Sequence, residues 1–308
     1  MNVFKDLTSG FATFVLAWLV PSTVVSAVVV FVLLPVWIPD YEAQTGSSLF
    51  GRFLSSGPVA TTAGFALLVV IVALTSSLAS RALYRLLEGY TLPNIIARPM
   101  LRRQYRQLRR LRSQSSDRRL GHTRIAMAQE LLANYPSQQS LILPTRLGNA
   151  LRALEKYGTE HYHLDSQTMY YELCAVAPQQ SVRDLEEARA PVDFFVSFTG
   201  LLSLLALASF ATGVSHSDLL SLSVSAVSIV LARVAYLVAV QNMTDWRYAM
   251  QSMVNIGRAP LARALGYELP KTILGERALW SAWRAFHHRG DIEILQGFDS
   301  LRQSGAAK

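Results

Sequence analysis

Charge is scarce in this chain. Only 16% of its 308 residues are Asp, Glu, Lys or Arg, against 51% hydrophobic, and Cys174 is the one cysteine. A single cysteine excludes a disulfide framework. So little charge suits a membrane protein with a sizeable polar part. Sequence marks of catalysis are missing as well. There is no phosphate-binding Gly loop, nucleophile elbow, zinc spacing or kinase signature. His161 and His163 flank Tyr162 ahead of Asp165 but have no second ligand pair, so they read as turn residues. The expectation is a protein that is not an enzyme and carries no metal or other cofactor.

The charge that is present leaves long gaps. Asp193 and Asp218 bracket 24 residues, Phe194 to Ser217, with no Asp, Glu, Lys or Arg. Leu219 to Val240 follows, broken only by Arg233. A bilayer core of about 30 Å needs roughly 20 apolar residues in a helix. Gly213 to Ser217 supplies a turn, so this stretch reads as an antiparallel membrane hairpin. Two further runs, Leu7 to Pro39 and Phe53 to Ser80, carry no Asp, Glu, Lys or Arg either. Pro21 is expected to kink the first, and the stretch before it, with Phe11, Phe14 and Trp18, to run partly along the interface before the chain crosses. That run is too long for a signal peptide, and Val36 to Asp40 offers no small-residue cleavage site.

The fold class expected is therefore all-α, with four transmembrane helices plus an α-helical cytoplasmic domain. Residues 1–83 hold the first two membrane helices and 84–192 a cytoplasmic segment. Residues 193–240 form the hairpin, and 241–308 a second set of cytoplasmic helices. Basic residues stay cytoplasmic. Between Arg81 and Asp193 there are 17 Lys or Arg against 11 acids, and after Val240 nine against six. Both termini should thus lie inside the bacterial inner (plasma) membrane. The outer loop is short, with a small amphipathic piece at Leu49, Phe50, Phe53 and Leu54.

Two patterns stand out as candidate sites. Ser217, Ser221, Ser225 and Ser228 recur at spacings of four and three, one face of a helix. Such a stripe either packs a neighbouring helix closely or lines a pore. Arg233 lies fourteen residues past Leu219, roughly 21 Å down the helix. A charge at that depth marks a pore or gate, pairs within the protein, or snorkels to the headgroups.

The second pattern is the most biased segment of the chain, Arg98 to Arg124, with ten arginines and one acid. Leu101, Tyr105, Leu108 and Leu111 share one helical face, while Arg102, Arg103, Arg106, Arg109 and Arg110 populate the other. Such a face binds anionic headgroups at about 1 kcal/mol per basic residue. It equally suits a cytosolic nucleotide-type ligand held by bidentate contacts, or pairing with the protein's own acids, such as Glu155, Glu172, Glu186 and Glu187. No groove-reading motif accompanies it, which argues against duplex DNA.

Helices are expected at Thr123 to Ala133, Arg146 to Lys156, Ser166 to Cys174, Val182 to Arg189, Asp245 to Arg258 and Thr272 to His288. A stop is expected at Tyr157-Gly158, Pro191 at the junction where the Val182 to Arg189 helix leads into the third membrane helix, and Pro99 in the first turn of the arginine helix. Leu143-Pro144-Thr145-Arg146-Leu147-Gly148-Asn149, then Ala153-Leu154-Glu155 and Tyr157-Gly158, resembles a signature of uncharacterised bacterial four-helix membrane proteins. Arg263 to Gly266, Leu269-Pro270 and Glu276 to Trp280 resemble that family's C-terminal segment. The resemblance implies the same architecture and no chemistry.

Two function classes fit. One is a homo-oligomeric channel or pore-forming effector gated through its cytoplasmic domain, of the kind found among stress and antiphage effectors. The other is a non-conducting scaffold that recruits a cytosolic partner to the membrane.

Overall fold

The computed structural model describes residues 15–46, 48, 51, 57–117, 119–290 and 293–302. Phe11, Phe14 and the outer piece at Leu49, Phe50, Phe53 and Leu54 lie outside them, whereas Trp18 is buried with Ala17 and Ala73. The described residues are helical, with no strand among them and one isolated bridge, Tyr267 to Arg302. Four helices among them are long and apolar enough to cross a membrane. The chain divides into two compact units: Met1–Leu87 with Ala190–Gln241, and Glu88–Arg189 with Asn242–Lys308.

The first unit opens with α1, a continuous helical run built from Val15–Leu19, Val20–Val28, Val29–Leu33 and Leu34–Thr45. Its first and third segments are π-turns, and each directly precedes the segment that carries Pro21 or Pro35 near its start. A π-turn supplies the extra residue that absorbs a proline's missing N–H and ring clash. The helix also runs through Pro39 and stops at Gly46, whose φ of 64° is left-handed. The expected end at Pro39 is thus displaced by six residues.

Helix α2 is Pro58–Leu78, α3 is Ser80–Glu88, α8 is Gln179–Ser215 and α9 is Leu219–Ala264. Between α3 and α8 come α4 (Asn94–Ser116), α5 (His122–Leu132), α6 (Arg146–Tyr162) and α7 (Tyr170–Val176); α10 (Ile273–Arg289) follows α9. Helices α8 and α9 each contribute to both units.

In the first unit, Val25 and Leu33 of α1 pack with Leu201, Leu202 and Leu205 of α8 and Ala232 of α9. The hairpin closes tightly because Gly213 has no Cβ; one placed there would meet Leu222 at 2.6 Å. Ser217 takes a φ of 52° in the turn, and Asp218 caps α9 by accepting from the N–H groups of Leu220 and Ser221 at 3.2 and 2.9 Å. At that end Trp37 Nε1 donates to Thr212 Oγ1 at 2.7 Å. At the opposite end Tyr84 donates to Asp193 at 2.5 Å. Phe31, Leu67, Leu78, Leu204, Leu207 and Leu219 are exposed, an apolar exterior that suits lipid.

The second unit buries Leu108, Leu147, Leu173, Met243, Met250, Met253, Leu279 and Trp280. The expected stop at Tyr157-Gly158 is not a stop. Helix α6 passes Gly158 and ends at Tyr162, with His163 left-handed at φ 62°. Gly158 serves a close approach: a Cβ there would lie 2.6 Å from the Leu164 carbonyl oxygen. Pro191 likewise sits inside α8, whose flanking Leu185, Val192 and Val196 are buried. The missing hydrogen bond at Pro191 is offset by packing on both sides of it. Pro99 is also interior, because α4 already starts at Asn94, capped by Pro93.

Glu276 ties α9 to α10. Its carboxylate accepts from Arg258 Nη1 at 3.1 and 3.0 Å and from Trp280 Nε1 at 3.3 Å, while Arg258 stacks 4.2 Å over Tyr162.

Candidate anion site on the arginine helix

Helix α4 buries Gln104, Leu108 and Leu111, and that choice turns its arginines outward. Arg102, Arg103, Arg106, Arg109 and Arg110 are all exposed. None of the five takes part in an ion pair among the described residues. Glu155, one candidate partner, pairs instead with Arg152 at 3.3 Å. Burial pushes the Glu155 carboxyl above its ordinary range, against the pull of Arg152 and Lys156.

The arginines divide between two clefts. Arg102, Arg106 and Arg109 share one with Tyr105. The other, of about 700 Å³, gathers Arg103, Arg106 and Arg110 with Gln107 and Gln114 of α4 and Arg146 of α6. Among the described residues no carboxylate lines either cleft. Arg146 is the first residue of α6, and its Nη2 lies 3.4 Å from Gln107 Oε1. Its contribution was hidden because it is 36 positions from Arg110 in sequence. Each guanidinium has a planar fork of donors that matches a carboxylate or phosphate.

What positions Arg146 is the Leu143 to Asn149 segment. Thr145 Oγ1 accepts from Gly148 N–H at 3.0 Å, capping α6, and donates to the Glu88 carbonyl at 3.0 Å. Asn149 Nδ2 donates to the carbonyls of Thr145 and Leu143 at 2.8 and 3.0 Å, and its Oδ1 accepts from Leu143 N–H at 2.8 Å. A Cβ on Gly148 would meet the Glu88 carbonyl oxygen at 2.5 Å. These residues form a bracket that fixes the start of α6 beside α4. Gln104 of α4 joins it, its Oε1 accepting from Asn149 Nδ2 at 3.5 Å and from the Tyr135 hydroxyl at 2.8 Å.

The serine stripe is placed otherwise. Ser221, Ser225 and Ser228 are buried inside the hairpin, and Ser225 Oγ donates across it to the Ala206 carbonyl at 2.9 Å. Ser217 is in the turn and exposed. Arg233 is off this face, exposed, with its guanidinium 5.5 Å from the Tyr236 ring centre.

His161 Nδ1 lies 3.0 Å from the Tyr157 carbonyl and His163 Nδ1 2.8 Å from Ser281 Oγ. No cluster of three metal-ligating side chains occurs among the described residues. Arg247 was not singled out by the sequence. It is buried in the second unit against Tyr248, with Nε and Nη2 unpartnered. No family model, curated protein or solved structure matches the chain.

Proposed function

We propose that this is a multi-pass protein of the bacterial inner membrane that holds a phosphate-bearing, nucleotide-type ligand on the arginine face of α4. In this reading the second unit and both termini are cytoplasmic, and the protein is a membrane platform that recruits or senses a cytosolic partner through that ligand. One observation carries the reading: four arginines from two helices converge on one carboxylate-free cleft of about 700 Å³. A face that only touched headgroups would need no contribution from Arg146 and no concavity. No acid among the described residues lines the cleft, so its cation charge is available to an anionic ligand.

The test uses the full chain in nanodiscs, with a nucleoside triphosphate and a short oligonucleotide as probes. Changing Arg102, Arg106, Arg109 and Arg110 together to Gln should weaken binding by more than about tenfold while the protein stays folded. Arg146→Gln alone should weaken it by about fivefold to tenfold, the loss of one charge-assisted contact. Unchanged binding in both variants would overturn the reading.

A second reading, an anion-conducting homo-oligomer gated from the second unit, draws on Arg233. It is exposed on an apolar unit, and rings of Arg line anion pathways. The serine face lends it no support from within one subunit, being buried in the hairpin. In reconstituted membranes this reading requires that Arg233→Glu shift conductance from anions toward cations.

A further inference from the structure

A furrow of about 560 Å³ runs along the hairpin in the first unit, and it contains Arg233. On the α8 side it extends from Thr199 to Phe210, eleven residues or roughly 16 Å of helix. Arg233 and Tyr236 are at its Thr199 end, since the two helices are antiparallel and turn at Ser217. The remaining wall is apolar, with Leu207, Phe210 and Ile229. The hydroxyls along it are already engaged: Thr199 donates to Phe195, Ser203 to Thr199 and Ser225 to Ala206, each to a backbone carbonyl. Among the described residues no carboxylate lines the furrow. Arg233 is therefore a cation at one end of an otherwise oily channel, with no acid of the described residues placed to neutralise it.

We infer that this furrow seats one anionic phospholipid, its phosphate on Arg233 and an acyl chain laid along the hairpin toward Phe210. The shape decides between occupants. A permeant ion has no use for 16 Å of apolar wall, whereas an amphiphile matches both ends. Depth agrees. If Leu219 sits at one edge of a bilayer core of about 30 Å, Arg233 is roughly 21 Å across it. That leaves a distance an arginine side chain can reach toward the far headgroups. Basic pockets between membrane helices at that level bind anionic headgroups. This site is separate from the arginine face of α4 and stands or falls without it.

The experiment takes the purified full chain in detergent and adds phosphatidylglycerol, phosphatidylcholine with the same acyl chains, or inorganic phosphate. Bound lipid is counted by native mass spectrometry. One phosphatidylglycerol per chain should be retained, and phosphatidylcholine should bind about fivefold to tenfold more weakly, the worth of one basic contact. Arg233→Gln should lose that preference and Arg233→Lys keep it. Leu207→Trp fills the furrow from an exposed position and should weaken lipid binding with the charge intact. Equal retention of phosphatidylglycerol by Arg233→Gln would overturn the inference. So would competition by inorganic phosphate with no effect of Leu207→Trp, which makes this a simple ion site. A change of subunit number in Arg233→Gln would assign the face to a second copy instead. Nucleotide binding at α4 should be untouched by all three variants.

Discussion

Helix α9 is one helix with two opposite rules for what it hides. In the first unit it buries Ser221, Ser225, Ser228, Ala232, Ala235 and Ala239, and exposes Val227, Ile229, Val230, Leu231 and Val234. From Met243 onward it buries Met243, Met250, Met253, Val254 and Leu261. The first pattern is that of a helix among lipids. Lipid tails are as apolar as Leu, so burying large side chains gains little there, and close packing through small residues decides the face. The second is that of a helix in water, where burying apolar area drives folding at about 25 cal/mol per Å². The difference teaches where each unit keeps its stability: in tight, small contacts in the first, and in large side chains and satisfied polar groups in the second.

Changes at three positions sharpen that contrast. The largest effect belongs to the second unit. Glu276→Ala leaves Arg258 and Trp280 Nε1 without their acceptor, and the loss of a mostly buried partner should cost about 3 kcal/mol. Thermal or denaturant unfolding of the purified chain measures it, and a cost below about 1 kcal/mol would show the network to be redundant.

In the first unit the same logic reverses. Ser225→Leu adds apolar volume at a hairpin contact already closed by a 2.9 Å bond to Ala206, and should destabilise by about 1–3 kcal/mol. Ser225→Ala removes only the hydrogen bond and should cost about 0.6 kcal/mol. Unfolding in detergent compares the two. If the Leu variant were the more stable, small-residue packing would not be what holds the hairpin.

The smallest effect concerns Asp165. Burial alone would raise its carboxyl, but the Thr168 and Gln167 N–H donors and nearby Lys156 together hold it below its ordinary value. A depressed carboxyl stabilises the fold above its unfolded pKa, and that contribution fades as pH falls through the lower, folded value. The second unit should therefore lose a little stability on acidification below about pH 4, and Asp165→Asn should remove that part of the pH dependence. His288, 3.7 Å away, adds a partner when protonated. A melting curve of Asp165→Asn with unchanged acid sensitivity would assign the effect elsewhere.

Four apolar helices, the hairpin turn, and an arginine face opposite Leu108 and Leu111 were legible in the sequence, because each is local. Apolar length reports what can cross a bilayer, and a 3.6-residue period reports a face. Other features needed the folded chain. Gly158 looks like a stop and Pro191 like a junction between two helices, yet in the folded chain one is a close approach and the other lies within a single helix, held by packing on both sides. Which face of α9 turns inward could not be read either, since lipid and a neighbouring helix are equally apolar; only the fit against Ala206 buries the serines and leaves Arg233 outside. Arg146 joins Arg103, Arg106 and Arg110 through the Thr145–Asn149 bracket, a contact across nearly forty residues that no spacing rule encodes. Local periodicity determined the elements, whereas the meeting of distant side chains depended on steric fit in three dimensions.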